Sequence, residues 1–208
     1  MSCSFVRAYD AKLGLRYASH PNVYSPAEDT YLLAELVLRH GGGKRFLELG
    51  SGTGILSAYL SIKLDMWGLA VDVNLWAAYC TKLTAEMNEA RVHVIIGSGP
   101  GAISRRFQSD LVVFNPPYLP EDSNDCSDSL LDLATLGGAR GYETALEWAE
   151  AVTVLLAPTG LILFVTSSLS PGPTQEEIEA VTSMHVVERR EVAIGDYMES
   201  LIGWVLGP

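Results

Sequence analysis

The sequence predicts an α/β fold, with a doubly wound, mostly parallel seven-stranded sheet that has an antiparallel edge. Strand-length apolar runs alternate with segments of helical spacing, which is the pattern of a parallel sheet flanked by helices. The five runs are residues 45–49, 67–71, 92–96, 110–114 and 161–166. Two further runs, residues 186–192 and 201–206, come last, and we expect them to pair as a closing hairpin. A glycine-rich loop after the first run indicates a ligand site at the carboxyl edge of the sheet.

Length and composition limit the classes to which the protein can belong. The chain has 208 residues, which suits one domain over residues 1–208, with residues 1–22 as an N-terminal extension that has no clear element. Hydrophobic residues make up 48% and charged residues 19%, which excludes a disordered chain. The net charge of −11, from 14 Lys and Arg against 25 Asp and Glu, repels phosphate backbones. This argues against a nucleic acid as the main partner.

The cysteines and the hydropathy indicate the cellular compartment, and the spacing of the histidines bears on metal binding. Cys3, Cys80 and Cys126 are far apart and odd in number, which favours a reducing, cytoplasmic setting over a disulfide framework. No apolar run approaches about 18 residues and the first residues lack the layout of a signal peptide, so we expect neither a membrane span nor secretion. The four histidines occur singly, without the spacing of metal ligands, and we expect no metal site.

The first helix is predicted to begin at Ser25. This residue precedes Pro26, and Glu28 follows three positions after it, which is the pattern of a capping box. Apolar residues then recur at helical spacing up to three consecutive glycines, residues 41–43, which end the helix. Taken by itself, this segment favours ordinary capping over a functional role.

The glycine loop follows the first predicted strand and precedes a helix. It spans residues 50–54, with glycine at every second position, and so departs from the dinucleotide fingerprint because Ile55 stands where the third glycine belongs. No Gly-Lys-Ser/Thr follows, which excludes a Walker loop. Glu48, two residues before the loop, is an unfavourable neighbour for a pyrophosphate but suits a cationic or amino-acid ligand. Loop and acid together favour S-adenosylmethionine over a nucleotide phosphate.

Asp72 ends the second predicted strand. A carboxylate at this place can accept hydrogen bonds from both hydroxyls of a ribose. The alternative is that Asp72 and Asn74 merely cap the next helix, which is predicted over residues 75–88. A third strand and a flexible loop over residues 97–101 follow.

The tetrapeptide Asn115-Pro116-Pro117-Tyr118 closes the fourth predicted strand. The prolines fix the backbone and remove donors, so the Asn115 side chain and nearby carbonyls are held as acceptors at the carboxyl edge of the sheet. Two such acceptors, Asn115 and Pro116, can orient a planar NH2, whether of a carboxamide or of an adenine, with its lone pair toward an electrophile. Tyr118 can stack on the flat group or wall the pocket. The alternative is a rigid strand exit without function.

The last third of the chain completes the predicted alternation. Residues 119–141 form a long polar stretch with four aspartates (Asp122, Asp125, Asp128 and Asp132), which is typical of a lid, a binding loop or a disordered segment. A helix over residues 142–157, a turn at 158–160 and a helix over 171–183 are predicted around the fifth strand.

These residues resemble a known family, the class I S-adenosylmethionine-dependent methyltransferases with their Rossmann-like fold. Within it, residues 22–170 are similar to the HemK/PrmC-type enzymes that methylate the glutamine of the Gly-Gly-Gln tripeptide in translation release factors. The short N-terminus resembles the archaeal and eukaryotic branch. The motifs that carry the resemblance are residues 24–30, residues 48–54, Asp72 and the tetrapeptide that begins at Asn115.

The resemblance implies roles for individual residues. Thr30, Glu48, Gly50 and Asp72 would contact S-adenosylmethionine, and Asn115 and Pro116 would hold the glutamine amide. We add Gly52, Ser98 and Asn115 to the candidate cofactor residues and Tyr118 to the candidate catalytic ones. The family usually carries an acidic residue for the adenine amine where Gly97-Ser98 stands here, so we expect adenine recognition to rest on backbone groups or to be weaker.

The resemblance also implies an activity and partners. It predicts a protein-(glutamine-N5) methyltransferase acting in translation termination, with a release factor as substrate and a small zinc-binding activator subunit as heterodimer partner. The alternatives are an adenine amino-methyltransferase on DNA or RNA, a protein lysine methyltransferase and a non-catalytic scaffold. A nicotinamide-dependent oxidoreductase is disfavoured by Ile55.

Overall fold

The computed structural model describes residues 5–120, 136–169, 172–195 and 199–208. Its helices are α1 (Glu28–His40), α2 (Ile55–Lys63), α3 (Leu75–Met87), α4 (Glu143–Val152) and α5 (Gln175–Thr182). Its strands are β1 (Val6–Asp10), β2 (Leu15–Ser19), β3 (Arg45–Leu49), β4 (Trp67–Asp72), β5 (Val92–Ile96), β6 (Ser109–Phe114), β7 (Leu156–Ser167), β8 (His185–Ile194) and β9 (Glu199–Gly207).

Seven strands form one sheet in the order β5-β4-β3-β6-β7-β9-β8. β9 pairs antiparallel with both β7 and β8, and the other neighbours are parallel. The predicted α/β fold with its antiparallel edge is therefore confirmed. The order reverses between β3 and β6, where Leu49 lies opposite Phe114, so the glycine loop and Asn115 leave neighbouring strands side by side.

The core lies on both faces of this sheet. Along β6, Leu111 and Val113 pack with α1 and α2, whereas Val112 and Phe114 pack with α4 and α5. The Phe114 ring stacks on Phe164 of β7 with 5.2 Å between centroids. Burial on both faces explains why the central strands are continuous apolar runs rather than alternating ones.

The expectation that residues 1–22 have no clear element is wrong. β1 and β2 form an antiparallel hairpin that lies against α3. The Arg16 N–H donates to Asn88 Oδ1 at 3.1 Å and the Ala18 N–H donates to Thr84 Oγ1 at 2.9 Å. The hairpin is thus held by side chains more than 60 positions away, a contact that local periodicity does not show.

Several predicted boundaries are also corrected. α1 begins at Glu28 with Ala27 as its N-cap, so Ser25 is not the cap, and the Thr30 Oγ1 accepts from the Ala27 N–H at 3.3 Å. Residues 97–101 are not entirely loop, because a 3₁₀ turn spans Gly99–Ala102. α4 ends at Val152, five residues before the predicted end.

The predicted turn at residues 158–160 is a bulge inside β7. Leu156 pairs with Ser109 and Leu161 pairs with Leu111, so the residues between them are accommodated in a continuous strand. α5 begins at Gln175 instead of residue 171, because Thr174 and Glu177 form a capping box there. The four aspartates of the polar stretch lie outside the described residues.

Within the described ranges, no helix is both long and apolar enough to cross a membrane.

Candidate active site

A crevice opens at the carboxyl edge of the sheet, over the ends of β3, β4 and β6. It is lined by the segment before α1, by the glycine loop, by the ends of these strands and by α4. Seven of the residues predicted from sequence line it: Thr30, Glu48, Gly50, Gly52, Asp72, Ser98 and Asn115. Pro117 also lines the crevice, whereas Pro116 and Tyr118 are not among the described residues that do so.

The glycine loop is closed by hydrogen bonds within the protein. The N–H groups of Gly50 and Ser51 donate to the Val71 carbonyl, at 2.8 and 3.2 Å, and that of Gly54 donates to Ser51. Gly54 has a φ of +74°, and a Cβ there would lie 2.5 Å from Thr81 Cα in α3. The loop therefore allows a close approach of backbone and helices. It is a poor anion site because the N–H groups of Gly50, Ser51, Gly52 and Gly54 are already bonded.

Glu48 is buried at the floor of the crevice, with 4% of its surface exposed. The Ser57 hydroxyl of α2 donates to its carboxyl group. Burial, aided by the nearby charge of Asp72, raises the pKa of Glu48 to about 8, although the Ser57 bond acts in the opposite direction. A protonated carboxyl group of this kind can lose its proton when a cationic ligand binds beside it. The resulting ion pair then stabilises the bound ligand.

Asp72 joins the glycine loop to the start of α3. Its Oδ2 accepts from the Gly52 N–H at 2.9 Å and its Oδ1 accepts from the Asn74 N–H at 2.8 Å. Asn74 is the residue that caps α3, accepting from the Trp76 N–H at 2.9 Å. The capping alternative thus applies to Asn74, while Asp72 lines the crevice. Burial raises the pKa of Asp72, and its two backbone bonds oppose the rise.

Asn115 presents an unpaired acceptor. Its Nδ2 donates to Asp29 Oδ2 at 2.7 Å. Its Oδ1 is buried and has no hydrogen-bond partner among the residues that the structure describes. Buried polar atoms in folded proteins are nearly always bonded, so this oxygen is arranged for a donor from outside the protein.

Asp29 is the functional residue that sequence reasoning missed. It is 1% exposed and its Oδ2 also accepts from the hydroxyls of Tyr24 and Tyr118, each at 3.0 Å. Burial and the charge of Asp29 raise the pKa of both tyrosines, so both remain protonated donors. The sequence offered one signal, because Asp29 stands within residues 24–30, which the family motif includes.

Trp148 of α4 is a second missed residue. Its indole lies against two glycines of the crevice: a Cβ at Gly99 would be 3.0 Å from Trp148 Nε1, and one at Gly50 would be 3.7 Å from its ring. The same indole packs edge-on against Phe114, with 5.8 Å between centroids. Trp148 thus walls the crevice beside Ser98, where the acidic residue that is usual in the family is lacking.

The chain was compared with known families. The family model described as "Methyltransferase small domain" matches residues 14–133, more than half of the chain. The chain belongs to this family. It is therefore a class I S-adenosylmethionine-dependent methyltransferase, as the resemblance predicts.

Individual relatives of this methyltransferase are of modest identity. The human methyltransferase HEMK2 is 35% identical over 153 residues, covering 70% of this chain and 72% of the relative. A putative protein N5-glutamine methyltransferase of Methanocaldococcus jannaschii is 31% identical over 157 residues, covering 76% and 78%. Among solved structures, the Mtq2-Trm112 complex of E. cuniculi matches with a TM-score of 0.64 and 23% identity, covering 89% of this chain and 98% of the other.

The crevice of the methyltransferase fits its cofactor. S-adenosylmethionine carries an ammonium group, a ribose diol and a sulfonium, and it has no phosphate. The buried carboxyl group of Glu48, the partly buried one of Asp72, and a glycine loop in which the N–H groups of Gly50, Ser51, Gly52 and Gly54 are already bonded match a cationic ligand of this kind. Asn115 lines the same crevice and leaves its side-chain oxygen unpaired.

Proposed function

We propose that this methyltransferase transfers a methyl group to the side-chain amide nitrogen of glutamine in the Gly-Gly-Gln tripeptide of a translation release factor. The observation that carries the proposal is the buried, unpaired Asn115 Oδ1 in the crevice. An acceptor of this kind suits an NH2 donor that is brought in by the substrate.

The chemistry of an amide explains why an acceptor is needed. The lone pair of a carboxamide nitrogen is delocalised, so this nitrogen is a weak nucleophile. A hydrogen bond from its NH2 to Asn115 Oδ1 orients the nitrogen and increases its electron density. The resemblance assigns a second acceptor to the carbonyl of Pro116, which is not among the described residues that line the crevice. The arrangement stabilises the transition state by positioning and by fixed dipoles rather than by a strong base. The nitrogen would form one bond to the methyl carbon while the bond from that carbon to the sulfonium sulfur breaks, so that a neutral thioether leaves, and the nitrogen afterwards loses one proton to solvent.

The cofactor is assigned to the residues on the other side of the crevice. When bound, S-adenosylmethionine supplies an electrophilic methyl group on a sulfonium. Glu48 holds a cationic group, Asp72 accepts from the ribose hydroxyls, and Gly50 and Gly52 allow close backbone approach. Thr30, Ser98 and Asn115 complete the contacts. The burial of Glu48, the partial burial of Asp72 and the bonded loop support this assignment.

Two of the relatives support the choice of substrate. One is a putative protein N5-glutamine methyltransferase. The Mtq2-Trm112 complex is responsible for methylation of the eRF1 translation termination factor. The net charge of −11 makes the adenine of a nucleic acid the less suitable planar amine.

A small zinc-binding activator subunit is the proposed heterodimer partner, and the cytoplasm is the proposed location. β5 is an edge strand of the sheet, and exposed apolar side chains stand on it and on its neighbour β4: Ile96 is 59% exposed and Trp67 is 37% exposed. Apolar side chains on an unpaired edge are suited to a covering partner.

The test is methyl transfer from labelled S-adenosylmethionine to a purified release factor, with and without the activator subunit. A release factor with Gln→Asn in its Gly-Gly-Gln tripeptide is the control. Label that enters the natural factor but not the variant supports the proposal. Label that enters an adenine oligonucleotide or a lysine instead, with the activator present, would replace the substrate and keep the methyltransferase.

A further inference from the structure

Asp29 stands where the start of α1 meets the loop that follows β6. Its Oδ2 receives three side-chain donors, Asn115 Nδ2 at 2.7 Å and the two tyrosine hydroxyls at 3.0 Å. Its Oδ1 accepts from the Thr30 N–H at 2.6 Å. We infer that Asp29 is a positioning residue, which fixes the Asn115 carboxamide with its oxygen toward the substrate. The inference rests on the proposed function, because it concerns the acceptor of that same site.

A carboxamide is nearly symmetric in shape. Its oxygen and its NH2 are nearly equal in size, so packing alone does not decide which of them faces the crevice. A carboxylate oxygen only accepts hydrogen bonds, and the group that faces Asp29 must therefore be the NH2. The Asn115 oxygen is left on the other side, where it has no partner among the described residues.

The opposite orientation would be unproductive. A rotation of Asn115 by half a turn would direct its NH2 at the substrate, where a second NH2 stands, and two donors would face each other. Asp29 excludes this state, since its oxygen and the Asn115 oxygen would then meet without a hydrogen between them. A carboxylate at this place thus determines which chemical group the crevice can hold.

Asp29 itself is held by its surroundings. A buried carboxylate is unfavourable unless donors surround it, and here Tyr24, Tyr118 and the Thr30 backbone supply them. Asp29 also lies in the first turn of α1, where the helix dipole favours a negative charge. Tyr118 therefore acts on the site through Asp29 rather than by lining the crevice.

The test compares Asp29→Asn with wild type as the full chain with its activator subunit. The new carboxamide can accept from Asn115 or donate to it, so the orientation of Asn115 is no longer fixed. We expect kcat/KM on the release factor to fall about 100-fold, the range found when one preorganised polar contact is lost. Cofactor affinity by calorimetry should change less than about twofold, because Asp29 is not among the described residues that line the crevice.

Exchanging the side chains of Asp29 and Asn115 distinguishes a positioning role of Asp29 from a purely structural role in the fold. In the double variant Asp29→Asn with Asn115→Asp, an amide again donates to a carboxylate and an oxygen again faces the crevice. We expect the double variant to be at least about tenfold more active than the product of the two single effects predicts. Additive losses would overturn the inference.

Asp110→Asn is the matched control. Asp110 also accepts two backbone N–H bonds, from Lys44 at 2.7 Å and Arg45 at 2.9 Å, but it lies near the amino end of β6. An amide oxygen still accepts there, and we expect unchanged transfer. An equal loss in Asp110→Asn and Asp29→Asn would show that any carboxylate-to-amide change disturbs the enzyme, and would overturn the positioning role.

A spectroscopic measurement keeps the inference separate from the proposed function. The side-chain NH2 signals of Asn115 can be assigned by their loss in Asn115→Asp, without any substrate. One of these protons should lie downfield in wild type, as expected for a donor to a carboxylate, and should move upfield in Asp29→Asn. No movement would overturn the role of Asp29, whereas a wild-type enzyme inactive on release factors would overturn only the proposed function.

Discussion

The two sides of the crevice are built in different ways. The side proposed to hold the cofactor, here called the cofactor side, consists of the glycine loop, Glu48 and Asp72, which lie close in sequence: the Gly52 to Asp72 bond spans 20 positions. The transfer side consists of Asp29, Asn115 and Tyr118, and its bonds span 86 and 89 positions. On the cofactor side four of the five loop N–H groups donate within the protein, whereas on the transfer side one acceptor is left open.

The difference indicates a division of labour. The cofactor side is already shaped by hydrogen bonds within the protein and carries two acidic groups, so ligand binding there depends on local contacts. On the transfer side the useful property is the orientation of one carboxamide, which depends on tertiary contacts. Mutations should therefore separate cofactor affinity from methyl transfer.

The largest effect is expected for Asn115→Ala. This change removes the open acceptor and leaves Glu48 and Asp72 in place, so we predict a loss of about 10³-fold in methyl transfer and a much smaller loss of cofactor affinity, from the one cofactor contact assigned to Asn115. Transfer is measured with labelled cofactor and affinity by calorimetry. Asn88→Ala is the matched control, because Asn88 holds the hairpin to α3 and is not among the described residues that line the crevice. Near-normal turnover in Asn115→Ala would refute the assignment.

Asp72→Asn should instead weaken cofactor binding and leave methyl transfer at saturating cofactor intact. The amide keeps one oxygen as an acceptor but loses the negative charge. It also loses the second oxygen, which in the wild type accepts from the N–H of either Gly52 or Asn74. We predict that cofactor affinity falls about 30-fold, as for the loss of a charged hydrogen bond, and that transfer recovers at saturating cofactor. The control is Asp65→Asn on the surface, where the side chain is 95% exposed. A loss of transfer that saturating cofactor does not restore would contradict the separation of the two sides.

Trp148→Ala tests how the adenine is bound where the family's acidic residue is replaced by Gly97-Ser98. If the indole stacks on or walls the base, its removal should weaken cofactor binding about tenfold, a usual effect for one base–aromatic contact. Calorimetry measures the affinity. Trp67→Ala, at the amino end of β4, is the control and should bind normally. Unchanged affinity in Trp148→Ala would leave adenine recognition to the backbone near Ser98.

The sequence predicted most of the fold and most of the residues that line the crevice at the ends of β3 and β4, for a physical reason. Central strands of a parallel sheet are buried on both faces, so β3, β4 and β6 appear as continuous apolar runs. The glycine loop and Asp72 follow such runs directly, and their place at the carboxyl edge follows from the topology. Local sequence determines all of these features.

Tertiary contacts determine what the sequence did not show. Asp29 appeared as an ordinary residue of a helix start, because its partner Asn115 lies on a different element. The hairpin of β1 and β2 depends on Asn88 and Thr84 of α3, and Trp148 meets the glycines only after α4 packs on the sheet. Periodicity describes one element at a time and cannot reveal such pairs.

The smallest expected effect is a pH dependence that arises from Glu48. With a pKa of about 8 in the free protein, this carboxyl group is mostly protonated at pH 7. A cationic group of the cofactor favours the ionised form, so binding at pH 7 must release a proton and should strengthen about fivefold between pH 7 and pH 8. Calorimetry in buffers of different ionisation enthalpy measures the proton release, and Glu48→Gln should abolish both effects.

The stability of the cofactor-free protein should respond to pH in the opposite direction. The folded pKa of Glu48 lies above its ordinary value of 4.5, so the folded chain holds this proton more tightly than the unfolded chain does. The resulting stabilisation is fully present below about pH 4.5 and is lost as the pH rises through about 8. Subtracting the unfolding free energy of Glu48→Gln at each pH isolates this term from the other carboxylates. A difference that grows with pH would mean that Glu48 is already ionised before the cofactor binds.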